Sequence, residues 1–481
     1  MVDLHFSDEH SKSLPTVRIK KVTLDNFRGV RHGAITFNCG RYFVPEGTEP
    51  DIMGIYGQNG SGKTTLVEAA LLLEALLTGQ EIPDSFSECI AKDSETATAS
   101  FVFDFQYPDE RVLQVGYEYT IGRIEKKKEE PKPEDEMSYD DQYPNKVKIV
   151  HEVIRVGGIV DGIEYSYRPA IDTQNTRAPF GPSTKTKFFY PKDKETVAEL
   201  YVQKRLAESE GTSAIFRHEV LSIFIADGKN DTGFVRILKE LTYFGRYYLH
   251  VYTNRHTGTI NAKLVFPLYL GPNFLGIRMI GPQTLPNRIV DDIDRRLEGL
   301  NVVLTQVIPG LSLECQRIQP TKLKNGADGS FVQFVTRRND IEIPLADESA
   351  GICKIISMLQ FLIFAYTDKS ATVFIDELDS GIYEYLLGEL VHVIAESGRG
   401  QLIFTSHNLR PLEVLDKNSV CFTTTNPGNR YYRIKNVGST YNLRDTYYRE
   451  IVMGNQDEEL YKRTNSYRIA SAMDMAAVRH E

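Results

Sequence analysis

The residues best suited to chemistry begin at Gly57-Gln58-Asn59-Gly60-Ser61-Gly62-Lys63-Thr64, continued by Thr65. This spacing makes a loop that wraps phosphate with its own backbone. Glycine lets N–H groups approach an anion with no Cβ in the way, and the positive end of a following helix adds to them. In such a loop Asn59, Gly60, Ser61, Gly62 and Thr65 belong to the cradle. Lys63 bridges the β- and γ-phosphates of ATP, and the Thr64 hydroxyl ligates Mg²⁺. A second cluster, Thr372-Val373-Phe374-Ile375-Asp376-Glu377, puts two adjacent acids at the end of an apolar run. Asp376 is expected to hold Mg²⁺, directly or through water, and Glu377 to polarise the attacking water. Adjacent side chains on a strand point opposite ways, so both acids serve one site only if the strand stops there. Leu378-Asp379-Ser380-Gly381 reads as that stop. Ahead of the acids, Asp347-Glu348-Ser349-Ala350-Gly351-Ile352 opens a helix, where Ser349 and Gly351 suit an anion site. An ordinary N-cap would use the same residue types. Finally, Phe404-Thr405-Ser406-His407-Asn408 closes another apolar run and leaves His407 to meet the γ-phosphate or water.

The flanking segments have the pattern these groups require. A short apolar strand at Ile52–Tyr56 precedes the glycine loop, and Thr64–Leu77 has helical composition. Residues 17–37 read as two strands about a turn at Asn26–Gly29, and 99–122 and 147–168 as further paired strands. Phe331–Arg337 and Ile341–Leu345 form a hairpin, followed by a helix near Glu348, a buried strand at Thr372–Ile375, a helix from Ile382 and a strand at Gln401–Thr405. Alternating apolar strands and helices predict an α/β fold with a mostly parallel sheet and flanking helices. The expected organisation is an arm at 1–16, the N-terminal half of this unit at 17–190, a mainly helical insertion at 191–310, the C-terminal half at 311–440 and a helical tail at 441–481. A charged loop at 125–146, almost devoid of apolar residues, reads as a solvated insertion. The aromatics Tyr243, Phe244, Tyr247, Tyr248 and Tyr252 read as core more readily than as a base-stacking platform.

Composition narrows the function classes. Of 481 residues, 41% are hydrophobic and the net charge is −9. An overall acidic balance argues against a nucleic-acid glove, leaving a local basic groove as the alternative. Five scattered cysteines without CxxC spacing fit free thiols in a reducing compartment. The N-terminus lacks a secretory pattern, and no run approaches the roughly 20 apolar residues needed to cross a bilayer. A cytoplasmic protein with no membrane partner is expected.

The ordered set GQNGSGKTT, DESAG, FIDELDSG and TSHN, behind a strand containing LDNFRG, resembles the ATPase heads of ABC/SMC-like proteins over about residues 17–80 and 330–425. These include the RecF and SMC heads and the ATPases of bacterial anti-phage systems. The resemblance implies an ABC-type head with an antiparallel N-terminal subdomain, working as a head-to-tail dimer. It implies that Ser349 and Gly351 act in trans on the partner's nucleotide, that Asp379 lies in the loop between the two sites, and that His407 is the switch histidine. The ESAG signature differs from that of membrane transporters, and no heptad-bearing arm is present. Gln106 is the candidate for the family's Q-loop glutamine. The overall layout is most similar to the ATPases (AriA) of the PARIS system, with those of Septu (PtuA) as rival. It implies a sensor and scaffold that holds and releases a separate effector, a TOPRIM-type nuclease, on meeting a phage-encoded trigger protein. A RecF/SMC-like DNA-repair ATPase is the alternative. No nuclease activity is expected in the chain itself, because about 100 residues follow Glu377 and no DxD motif with an upstream acidic partner stands out among them.

Overall fold

Alternation of buried and exposed positions builds the first sheet. In the strand TATASFVFDFQ, Ala97, Ala99, Phe101, Phe103 and Phe105 all turn inward, while Thr98, Ser100 and Val102 between them are half-buried. The computed structural model describes residues 14–37, 51–126, 143–160, 162–174, 178–181, 194–226, 233–253, 265–270, 273–339, 341–434, 442–453 and 456–478. Most of the expected N-terminal arm, Cys39 and residues 127–142 of the charged loop lie outside these. In chain order the elements begin with β1 (Thr16–Phe27), β2 (Val30–Thr36), β3 (Asp51–Tyr56) and helix α1 (Lys63–Leu77). Then come β4 (Thr96–Gln106), β5 (Val112–Glu125), β6 (Asn145–Val160) and β7 (Ile163–Asp172). The antiparallel sheet has the order β2-β1-β4-β5-β6-β7.

Helices α2 (Lys194–Glu210), α3 (His218–Ala226) and α4 (Gly233–Tyr247) precede β8 (Leu249–Tyr252). A hairpin of β9 (Val265–Leu270) and β10 (Asn273–Arg278) leads to β11 (Gln283–Pro286), α5 (Asn287–Val307), β12 (Leu311–Lys322), β13 (Asp328–Arg338) and β14 (Ile341–Pro344). Strands β11 to β14 make a small antiparallel sheet under α5. The chain continues through α6 (Ala350–Thr367), β15 (Thr372–Ile375), α7 (Glu384–Ser397), β16 (Gln401–Thr405), β17 (Val420–Thr423), β18 (Tyr431–Tyr432), α8 (Leu443–Met453) and α9 (Ser466–Val478).

The second large sheet, in the order β18-β17-β3-β16-β15-β8, positions the chemistry. Strands β3, β15 and β16 are buried at every residue, as expected where both faces are covered. β16 runs parallel to both β3 and β15, with Thr405 beside Ile55 and Phe404 beside Ile375. The glycine loop, the paired acids and the TSHN turn therefore all leave one edge of the sheet. That is the edge where α/β sheets bind ligands. Helix α1 fills the space between the two large sheets, with Leu66, Leu72, Leu73 and Leu76 fully buried.

The segment 191–310, expected as a mainly helical insertion, also contributes to the sheets: β8 within it is a strand of the central sheet, and α4 packs on α1. Helix α5 belongs with the β11–β14 sheet. Short VY-type strands carry too little pattern to announce their place in a distant sheet. Of the aromatic stretch, Phe244 and Tyr252 are buried core, whereas Tyr243, Tyr247 and Tyr248 are half-buried and pack on one another, Tyr248 also stacking near Phe364 at 6.4 Å. Cys89, Cys315, Cys353 and Cys421 are free and buried. One described helix, α6, is long and apolar enough to cross a membrane by length and composition, but its buried side chains belong to the second core cluster.

Candidate functional site

The loop Gly57–Thr64 leaves β3 and enters α1 through Gly62, whose φ is 91°. A Cβ on Gly57 would lie 1.8 Å from the Thr423 hydroxyl, so only glycine lets the chain turn there. Ser61 is hydrogen-bonded to Thr423, which donates in turn to the Tyr56 carbonyl at 3.2 Å. Tyr431 secures the helix start by donating to Gly62 O at 2.9 Å. Sequence reasoning missed both groups; their signal was a polar residue at the end of a buried strand beside the loop.

Lys63 is 6% exposed and donates to the loop's own carbonyls, Gly57 O at 2.8 Å and Gln58 O at 3.0 Å. Burial lowers its pKa to about 8 despite the favourable charges of Asp376, Asp379 and Glu377. Thr64 donates to Asp376 Oδ1 at 3.2 Å, which joins the two groups expected at the metal. Among the described residues no cluster of three His, Cys, Asp or Glu could hold a metal. A divalent cation here would rest on Thr64, Asp376 and phosphate oxygens, a donor set that suits Mg²⁺. The glycine cradle and the buried Lys63 at its centre fit a nucleoside triphosphate.

The paired acids reach one side because the chain breaks after β15. Glu377 has φ 49°, a left-handed conformation costly for a residue with a Cβ. Thr405 holds this turn. Its hydroxyl accepts from Glu377 N at 2.7 Å and donates to Asp376 Oδ1 at 2.7 Å, while its carbonyl accepts from Leu378 N at 2.9 Å. Lys354 of α6 caps the Glu377 carbonyl. Thr405 and Lys354 were not singled out from the sequence. Asp379 accepts from the backbone N–H of His407 at 3.1 Å and of Asn408 at 3.0 Å, so it shapes the His407 turn. Its other oxygen is buried without a hydrogen-bond partner. Desolvation and then the Lys63 charge hold His407 below its ordinary pKa. A neutral ring beside Lys63 can donate or accept one hydrogen bond.

Ser349 stands apart. It is the exposed N-cap of α6, accepting from Ile352 N at 3.3 Å. No hydrogen bond or ion pair among the described residues joins Ser349 or Gly351 to Gly57–Thr65. A Cβ on Gly351 would come within 2.6 Å of the Gly381 carbonyl, so this turn packs directly on the loop after the acids. Gln106 does not reach the site. It pairs with Thr16 at one end of β4, whereas the other end, at Thr98 and Asp25, leads toward the turn whose Gly29 carbonyl is held by Arg430. A polar residue after an apolar strand was too weak a signal to place it.

The tail touches the site. Leu460 is buried, Glu459 O accepts from Thr425 N at 2.8 Å, and Lys462 N donates to the Gln58 side chain at 3.1 Å. Helix α8 packs on the unit, with Tyr447 stacked 4.6 Å from Phe422. Helix α9 is exposed along its described length.

Residues 52–413 match the family described as AAA domain, putative AbiEii toxin, Type IV TA system. No curated protein matches the sequence. Among solved structures, the chain is similar to an Smc head domain from Pyrococcus furiosus bound to the C-terminal domain of ScpA, at 13% identity and TM-score 0.40, covering 87% of this chain and 96% of that one. It is similar to the SMC head domain from Thermotoga maritima at 12% identity and TM-score 0.34, covering 87% and 100%. A RecF recombination mediator structure gives 14% identity and TM-score 0.33, covering 87% and 99%.

Proposed function

The chain belongs to this AAA-domain family, and from that membership we propose that it binds and hydrolyses ATP with Mg²⁺ at sites shared by a head-to-tail dimer. The observation that carries this reading is the division of the machinery. Lys63, Thr64, Asp376, Glu377 and His407 converge on one sheet edge, while Ser349 is exposed and bonded only within its own turn. A second copy would supply its Ser349 and Gly351 to the nucleotide. Asn59, Gly60, Ser61, Gly62 and Thr65 would cradle the phosphates, with Lys63 moving from the loop carbonyls to the β- and γ-oxygens. Mg²⁺, held by Thr64 and Asp376, would neutralise charge developing on the transferred phosphoryl group. Glu377 would orient and deprotonate the attacking water, and His407 would hydrogen-bond the γ-phosphate. Asp379 would serve the site through the turn it holds.

We further propose that the ATPase is the sensor and scaffold of a cytoplasmic anti-phage complex, holding a separate nuclease or toxin effector and releasing it on a phage-encoded trigger. The family's description, a putative AbiEii toxin of a Type IV TA system, is in keeping with this, and the net charge of −9 weighs against a nucleic-acid surface. A RecF-like repair ATPase is the alternative. Affinity purification of the chain expressed with its neighbouring genes tests it. Co-elution of an adjacent gene product, released when ATP state changes, is expected. A chain that elutes alone, with duplex DNA stimulating its ATPase several-fold, would favour the repair role.

A further inference from the structure

Away from the shared edge, a cavity of about 310 Å³ lies between β8, α5 and α6. That volume falls at the lower end of small-molecule pockets, and the site is open to solvent on its α5 side. Its walls are mainly apolar and aromatic: Phe361, Phe364 and Ile363 from α6, Leu300 from α5, and Phe266. His250 on β8 presents its ring 5.0 Å from that of Phe364, edge to face. Burial lowers the His250 pKa to about 4, so this wall carries no charge at neutral pH. Arg295 and Arg296 of α5 add the charged groups to the lining, and Arg295 is paired with Asp292.

Gly299 of α5 also lines the cavity. Glycine inside a helix is less favourable than alanine, and here packing does not require it. A Cβ at Gly299 would meet nothing within 4 Å. Gly299 is exposed, so a larger side chain here would stand at the open mouth of the site.

We propose that this site binds a small aromatic anion of two to three rings, its rings among Phe266, Phe361 and Phe364 and its anionic group toward the exposed Arg295 and Arg296. Aromatic walls favour offset or edge-on ring contacts. A guanidinium, with five N–H donors in a planar fork, can accept an anion beside an existing partner. The cavity joins a strand of the central sheet to α6, whose first turn carries Ser349. A bound ligand would therefore brace the helix that presents the serine.

The test is a fluorescence titration of the full chain with 8-anilinonaphthalene-1-sulfonate, alongside its uncharged analogue N-phenyl-1-naphthylamine. Saturable one-to-one binding is expected, with the sulfonate preferred. In Gly299→Leu and Gly299→Trp, sulfonate affinity should fall on the order of ten-fold or more, with ATP binding retained as the measure of an intact fold. Arg296→Gln should weaken the sulfonate and leave the neutral analogue unchanged. Binding that does not saturate, or that survives both Gly299 substitutions in folded protein, overturns the site. Equal affinity for the neutral analogue overturns the anionic assignment.

Discussion

The loop-and-acid cluster and the Ser349 turn differ in how completely one chain satisfies them. In the first, Lys63 is bonded to loop carbonyls, Thr64 to Asp376, and Asp376 and Glu377 to Thr405. In the second, Ser349 is exposed and its hydroxyl only caps its own helix. A single chain can thus pre-organise phosphate, metal and water positions, yet it leaves one donor group facing outward. The proposed shared site rests on this contrast: the loop and the acids are joined within one chain, whereas the Ser349 hydroxyl meets only its own helix.

Substitutions in the first region should have the largest effects. Lys63→Ala removes the buried cation of the loop and should abolish measurable ATP binding in equilibrium titration, turnover falling to background. Wild-type affinity in this variant would show that another group holds the phosphates. Glu377→Gln should retain binding and lower kcat by roughly 10²- to 10⁴-fold, the range for a general base. Steady-state phosphate release measures this, and an unchanged kcat would remove Glu377 from that role.

Thr405→Val keeps the shape of the residue but removes the hydroxyl shared by Asp376 and Glu377. The Glu377 turn is already strained, so kcat should fall roughly ten-fold, equivalent to about 1.4 kcal/mol, with KM little changed. A change confined to KM would place Thr405 in binding instead.

The most gradual effect concerns pH. Lys63 binds phosphate in its charged form, and its pKa in the free protein is lowered to about 8. Affinity for ATP should be full below that value and decline as pH rises through it, by up to ten-fold per pH unit. Isothermal titration between pH 7 and 9.5 reads the slope. A flat profile would mean that Lys63 stays charged throughout.

The same contrast explains what was legible in the sequence. Gly57–Thr64 and Thr372–Glu377 are local patterns in which residue type and spacing dictate both strand and loop, and the structure places them together on one sheet edge. The hairpin of Phe331–Arg337 and Ile341–Leu345 was readable for the same reason, its two runs keeping a strand's period. Thr405, Thr423 and Lys354 were not readable as site residues, because their partners are far away in the chain and a lone polar side chain carries no periodic signal. The strand Leu249–Tyr252 was hidden likewise: four residues do not announce pairing with Thr372–Ile375.

The most direct test of the shared site mixes two inactive proteins, Ser349→Arg and Lys63→Ala. In a mixed head-to-tail dimer one site combines the intact Lys63 of the first with the intact Ser349 of the second, and the other site carries both defects. With random exchange half the dimers are mixed and each has one sound site of two, so ATPase activity should recover to about a quarter of wild type. Recovery well above either variant alone is the predicted result. No recovery, with subunit exchange verified by differently tagged chains, contradicts the claim that each site is completed in trans.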